Sequence, residues 1–435
     1  MTKPLDLSAF PAWLVDRGLR GLPLAEQVDG FCRGLIEAGF HASRFNMSIG
    51  TLHPRHGAHS YVWRPDGIAT ELHARRRNDE ERAAYLRSPV HHLRASGELA
   101  LRRRIDTGAR HEFPLFDDLH EAGMTDYAAR IVYFNETGGG KREASGRGRA
   151  RATESVDVLQ GVFFSCATDD PDGFDDEELE QVTALLPFLA LAVKARSTFD
   201  VARTLLETYL GADAGARVLT GEIDRHSVRS IQAVIWLCDL RGFSRIASRV
   251  SQDELIELLD DYLEIMARPV LDHRGQILKF MGDGFLATFD LESASREVVC
   301  ANALNAAEEV VTTLPAFNAK RRDEAKQTVD LGVAIHLGEV LYGNIGTRDR
   351  LDFTVVGPTV NEVSRIASMS RSVDRELLAS AEFYKGLDAT GRRYLVSTGR
   401  YALRGIGRAQ DLYTLDPEVD TSEPVTGSYE RYLAN

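Results

Sequence analysis

The sequence predicts an α+β chain of two globular units joined by a helical connector. Three observations carry this. The chain has 435 residues, 43% of them hydrophobic, which is enough for two or three cores. Strand-like β-branched runs interleave with amphipathic helical runs in both halves. Between the halves lies an apolar helical seam that breaks at Gly211. The expected divisions are 1–197, a connector over 198–230, a second unit over 231–416, and a polar tail over 417–435.

Bulk properties narrow the function. The formal net charge of −13 argues against a general nucleic-acid partner and against an anionic membrane surface. No run of eighteen apolar residues is present, and the start, MTKPLDLSAFPAWLVDRGLRG, is too polar for a secretory signal. Cys32, Cys166, Cys238 and Cys300 are scattered without a CxxC pair, as expected for reduced thiols in a cytoplasmic protein.

The first unit opens with an amphipathic helix over residues 24–39. Strands are expected at 43–52 and 60–64, a charged helix at about 70–86, and strands at 129–135 and 156–166. The stretch GGGKREASGRGRARATES between the last two has the composition of a hairpin loop. Asp175 can cap a closing helix. Leu179, Val182, Leu186, Leu189 and Val193 recur along it at steps of three and four, with Pro187 placed to kink it. The connector over 198–230 continues as helix to about Leu210 and fits either a spacer or a transmitter through which two chains pair. Nine of the twelve histidines precede the connector, in no metal- or haem-ligand spacing. The closing run GFDDEELEQVTALLPFLALAV resembles the end of a GAF-type sensor domain, which implies an unidentified small-molecule or signal ligand.

The second unit carries the chemistry. SIQAVIWLC reads as a buried strand ending in Asp239, followed by LRGFS and a helix. Gly242 permits close backbone approach, and the amides of Gly242, Phe243 and Ser244 at a helix start form an anion site. SQDELIELLDDYLEIMARPVLDHRG reads as an amphipathic helix ended by Pro269 and Gly275. GQILKF and FLATF read as strands around the turn MGDG, where Asp283-Gly284 is also an ordinary hairpin signal. Two strand-end aspartates together can bridge two Mg²⁺ or Mn²⁺ ions, and without metal they would repel. VDLGVAIHLGEVLYGNIG reads as a hairpin, and RLDFTVVGPTVNEVSRIASMS as a strand, a Gly-Pro break and a helix from about Thr359. Asn361 and Arg365 are four apart on one helical face, an amide and a fixed cation suited to a sugar and a phosphoryl group.

DLRGFS, KFMGDG and LDFTVVGPTVNEVSRIA, in this order, resemble the catalytic domain of class III adenylate cyclases of bacterial type, and the resemblance extends through ALRGIGRAQDLYTL. It implies a ferredoxin-like βαββαβ catalytic fold, ATP as substrate, two Mg²⁺ or Mn²⁺ ions per site, and a homodimer whose sites take residues from both subunits. Asp239 and Asp283 resemble the two metal-binding aspartates, and the carbonyl of Leu240 would assist one ion. Lys279 and Thr354 resemble the base-recognising pair, Asn361 the ribose-orienting asparagine and Arg365 the transition-state arginine. Arg404 stands where the family usually has a triphosphate-contacting lysine, and its planar fork changes the phosphate geometry. Lys279 and Thr354 suit the adenine edge, whereas guanylate cyclases of the family typically carry Glu and Cys there. A guanylate or broad-purine cyclase, or an inactive nucleotide-binding regulator, are the alternatives.

Overall fold

Period-two alternation of apolar residues builds an antiparallel sheet in the N-terminal part of the chain. The computed structural model describes residues 5–75, 78–134, 161–225 and 227–419, and divides into units of residues 1–205 and 206–435.

The N-terminal unit runs α1 (Phe10–Arg20), α2 (Leu24–Glu37), β1 (Arg44–Gly50), β2 (His56–Arg64), β3 (Gly67–Ala74), α3 (Asp79–Leu86), α4 (Pro89–Ser96), β4 (Ala100–Arg104), α5 (Pro114–Glu121), β5 (Asp126–Tyr133), β6 (Gly161–Thr168) and α6 (Asp176–Leu210). Its sheet has the order β3-β2-β1-β6-β5-β4. Phe45, Met47 and Ile49 face Val28, Phe31 and Leu35 of α2 and Val182, Leu186 and Leu189 of α6. Tyr127, Ala129 and Ile131 face Leu93, Phe113 and Phe116 on the other side.

One expectation changes here. The charged helix over 70–86 is a strand followed by a short helix. Pro65 and Asp66 form a tight turn that pairs Arg64 with Gly67, so residues 67–74 zip onto β2. The helix begins only at Asp79, where Asn78 and Glu81 form a capping box. Val182, Leu186, Leu189 and Val193 form the apolar seam expected of the closing helix, and it is buried in this unit's own core. The exposed apolar residues of α6 are Phe188, Leu191, Phe199 and Tyr209. By length and composition alone α6 could cross a membrane; its buried stripe packs as the core helix of a globular unit does. The GGGKREASGRGRARATES segment and nearly all of the expected tail lie outside the described residues.

The second unit runs α7 (Ala212–Leu219), β7 (Val228–Arg241), α8 (Phe243–Ala247), α9 (Gln252–Asp272), β8 (Gln276–Met281), β9 (Gly284–Asp290), α10 (Arg296–Asp323), β10 (Asp330–Gly346), β11 (Leu351–Val356), α11 (Pro358–Val373), β12 (Leu377–Ser380), α12 (Ala381–Gly386), α13 (Ala389–Arg392), β13 (Leu395–Tyr401) and β14 (Gln410–Leu415). The strand order is β13-β14-β12-β10-β7-β9-β8, with β11 on β10. Val234, Trp236, Cys238 and Leu240 of β7 face Leu258, Tyr262, Leu304 and Val310 of α9 and α10. Ala233 and Ile235 point the other way, toward Val363 and Ile366 of α11. By the same alternation Asp239 lies on the α11 face.

Here too the details correct the sequence. Pro269 is buried inside α9, which ends at Asp272; this near the end the missing amide costs one helical bond and the ring fills the core. Residues 330–346 form one continuous strand, not a hairpin, and pair with β7 from Asp330 to Gly343. Two of its glycines, Gly332 and Gly338, serve helix packing: a Cβ at Gly338 would lie 2.7 Å from Thr359 Oγ1 of α11. The four cysteines are free and buried, and no disulfide joins them.

Candidate active site

Asp239 and Asp283 meet because two backbones approach unusually closely. A Cβ at Gly284 would stand 1.9 Å from the Cys238 carbonyl oxygen and 2.9 Å from Asp239 Cα, so only glycine fits opposite Asp239. The turn before it is made by Gly282, which has a φ of 67°. The Leu240 amide donates to the Asp283 carbonyl at 3.2 Å. Gly332 of β10, paired with Asp239, keeps the opposite side open: a Cβ there would press on Ser370 Oγ and Asp239 Oδ1.

Neither carboxylate forms a hydrogen bond or ion pair among the described residues. Burial, and then the neighbouring Asp283 charge, hold the Asp239 carboxyl above its ordinary range, with Arg371 and Arg241 pulling the other way. Arg241 donates to Ser370 Oγ at 2.5 Å and also to the Arg375 carbonyl, tying the C-terminal end of α11 to β7. Among the described residues no cluster of three or more His, Cys, Asp or Glu offers a closed metal cage. Two carboxylates with the Leu240 carbonyl are a hard, incomplete oxygen set. That suits a Mg²⁺-like ion that fills its shell with water and phosphate.

The remaining residues fall into separate groups. A bulge between Ile277 and Lys279 turns Leu278 into the core and leaves Lys279 exposed. Leu278 shares a core cluster with Phe353 and Val355 of β11, so the strands that carry Lys279 and Thr354, though not paired with each other, pack together. Thr354 is 6% exposed, and its Oγ1 is buried without a hydrogen-bond partner. Asn361 and Arg365 stand exposed on α11, while Thr359, Val363, Ile366 and Ser370 form its buried stripe. Gly242, with a φ of 75°, is the N-cap of α8, whose first residues are Phe243 and Ser244. Arg404 is exposed in the turn after β13.

One chain therefore joins Asp239 to Asp283, Lys279 to Thr354, and Asn361 to Arg365. It does not bring the first pair to Asn361. Ser370, beside Asp239, lies nine residues along α11 from Asn361, roughly 13 Å of helix axis. Sequence reasoning missed the residues that build this frame: Gly284 and Gly332, the Arg241–Ser370 tie, and the His336–Glu362 pair beside Asn361. The glycines on one face of β10 (332 and 338) were the available signal.

Residues 227–416 match the family described as "Adenylate and Guanylate cyclase catalytic domain". An adenylate cyclase of Anabaena cylindrica is 31% identical over 157 residues, covering 35% of this chain and 30% of that protein. Adenylate cyclase 1 of Rhizobium meliloti is 30% identical over 145 residues, covering 33% and 21%. The chain thus spans under a third of the length of either relative. The crystal structure of the adenylyl cyclase CyaB from P. aeruginosa is similar over 46% of this chain and 98% of that chain, with 23% identity and a TM-score of 0.41.

Proposed function

Residues 227–416 are a class III nucleotide cyclase catalytic domain, and from that premise we propose that the chain is an adenylate cyclase converting ATP to 3′,5′-cyclic AMP and pyrophosphate. The observation that carries this is the Asp239–Asp283 pair, two carboxylates close enough to act on each other electrostatically and with no hydrogen bond or ion pair among the described residues. Such a pair opposes folding and is rational only as a cation site.

Two Mg²⁺ or Mn²⁺ ions held by Asp239, Asp283 and the Leu240 carbonyl would lower the pKa of the ribose 3′-hydroxyl and neutralise the triphosphate. The chain's own residues do the rest. Asn361 orients the ribose so that the 3′-oxygen lines up with the α-phosphorus. Arg365 stabilises the charge that develops on the α-phosphoryl group. The amides of Gly242, Phe243 and Ser244, together with Arg404, hold the departing pyrophosphate. Lys279 donates to the adenine edge, and the buried Thr354 hydroxyl finds there the partner it lacks in the chain.

The separation of Asp239 from Asn361 along α11 supports a homodimer in which one subunit supplies the aspartates and the other Lys279, Thr354, Asn361 and Arg365, giving two equivalent sites by symmetry. The succession β7-α9-β8-β9-α10-β10, with strands ordered β10-β7-β9-β8, supports the ferredoxin-like assignment. We read residues 1–197 as a GAF-like sensor, on the six-stranded sheet with helices on both faces, and 198–230 as the connector through which a small-molecule signal acts. The whole operates in the cytoplasm.

The test is product formation from ATP and, separately, GTP, each with Mg²⁺ and with Mn²⁺. Cyclic AMP from ATP supports the proposal, and preferential cyclic GMP formation transfers it to the guanylate alternative. Silence of both the full chain and residues 225–435 leaves the inactive nucleotide-binding regulator.

A further inference from the structure

Beside the exposed Asn361 and Arg365, a polar chain crosses four elements: His336, Ser380 and Gln410 are buried, and Glu362 is partly buried. His336 of β10 is 3% exposed. Its Nδ1 lies 2.8 Å from Ser380 Oγ and its Nε2 lies 3.3 Å from Glu362 Oε2 of α11. Gln410 Nε2 of β14 donates to the same Glu362 oxygen at 3.0 Å. Ser380 Oγ already accepts the Phe383 amide at 3.1 Å.

Ser380 Oγ can accept the Phe383 amide and still bond His336 Nδ1 in either direction; with the hydroxyl donating to Nδ1, the neutral ring carries its proton on Nε2, the nitrogen that faces Glu362. Burial, the largest influence, moves His336 below its ordinary pKa, while Glu362 and Glu382 act in the opposite sense. One Glu362 oxygen is thus bonded by the Gln410 amide of β14 and faced by the His336 ring of β10.

That matters because little else fixes the rotation of α11 about its axis. The helix starts at Gly357 without a side-chain cap. Its other polar tie in this half is Thr359 Oγ1 to the Glu339 carbonyl at 2.6 Å. Val363 and Ile366 are apolar contacts, which resist sliding and twisting less sharply than directed bonds. Glu362 immediately follows Asn361 and lies three residues before Arg365, so a small roll of the helix moves both.

We propose that Glu362, anchored by His336 and Gln410, is a positioning residue that sets the roll of α11 and thereby aims Asn361 and Arg365 at the nucleotide. The proposal rests on the cyclase function above. A displacement of about 1 Å at a group that acts in the transition state lowers turnover by about a hundredfold.

The experiment compares the full-length protein with Glu362→Ala and Glu362→Gln in kcat and KM for ATP, in thermal midpoint, and in hydrogen exchange across residues 358–373. Glu362→Ala should lower kcat about 10- to 100-fold with KM for ATP changed less than about threefold, and should speed exchange in the first turns of α11. Glu362→Gln should recover most of the turnover and protection, because its carboxamide oxygen still accepts from Gln410 Nε2–H and still faces the His336 ring. Wild-type kcat in Glu362→Ala overturns the proposal, and so does failure of Glu362→Gln to rescue at an unchanged thermal midpoint. If the wild type turns over neither nucleotide, the cyclase function fails separately. Exchange then decides the anchor by itself, and unchanged protection in Glu362→Ala overturns it.

Discussion

Two aspartates, one in each unit, occupy similar places in their sheets and meet opposite fates. Asp126 opens β5 and is wholly buried. Arg102 grips its Oδ2 at 2.8 Å and 3.1 Å, and the Tyr127 and Phe174 amides add 2.9 Å and 3.1 Å bonds. Asp239, near the end of β7, is half-buried and has no such partner; its nearest strong influence is a second carboxylate. A fold that can satisfy an aspartate this fully in one sheet, and leaves another strained in the next, separates a structural charge from a functional one. The contrast lies in the partners, since both residues are carboxylates at strand ends.

The largest effect should come from giving both residues the same substitution. Asp239→Asn should reduce cyclic AMP formation about a thousandfold, the upper end of what loss of one transition-state electrostatic contact costs. Asp126→Asn should leave the chemistry of residues 227–416 intact. Turnover by Asp239→Asn within tenfold of wild type would break the distinction and remove the metal-site assignment.

Next in size is stability. Asp126→Asn should cost the N-terminal unit about 3 kcal/mol, read by denaturant unfolding. The estimate takes the low end of the range because Arg102 is one-third exposed and water can partly replace its lost partner. A neutral result would mean that the Arg102–Asp126 network is replaceable and that full satisfaction is no mark of a structural role.

A smaller effect tests the recognition side. Lys279→Glu with Thr354→Cys should shift the ATP-to-GTP ratio of kcat/KM by at least about tenfold toward GTP, roughly 1.4 kcal/mol. Thr354 Oγ1 is buried and unpartnered, as Asp239 is unpaired, so it falls on the functional side of the comparison. An unchanged ratio would place base recognition elsewhere.

How far the sequence reached follows the same division. The polar groups that act were visible because they sit in short runs at turns and strand ends: Asp239 before LRGFS, Asp283 within MGDG, Asn361 and Arg365 four apart. What supports them was not, because it depends on partners distant in sequence. His336 meets Glu362 and Ser380 only after β10, α11 and β12 have assembled. The run VDLGVAIHLGEVLYGNIG reads as a hairpin, and the purpose of Gly338 within it appears only when Thr359 packs on it. Residues 70–74 looked helical by charge pattern, and the Pro65-Asp66 turn, a local signal given too little weight, zipped them into β3. The GAF-like reading rested on the succession of a helix, antiparallel strands and a closing helix, and the apolar seam of that closing helix is core.

The smallest effect is the most direct test of strain at Asp239. Its folded-state pKa is raised, so in the metal-free protein the folded form binds a proton more readily than the unfolded form. Stability therefore falls as pH rises from the ordinary carboxylate value through the raised one, and the full penalty persists above it. Asp239→Asn removes the penalty. Without metal, its thermal midpoint should exceed wild type near neutral pH, by a small margin because the carboxyl is partly exposed and solvent screens the strain. The difference should shrink toward zero below about pH 4, where the wild-type carboxyl is itself protonated. Saturating Mg²⁺ with a non-cyclisable ATP analogue should reverse the order, since only wild type gains the linked binding energy. If Asp239→Asn is instead less stable at neutral pH without metal, Asp239 is held as Asp126 is, by contacts that need its charge, and the contrast between the two residues fails at the functional end.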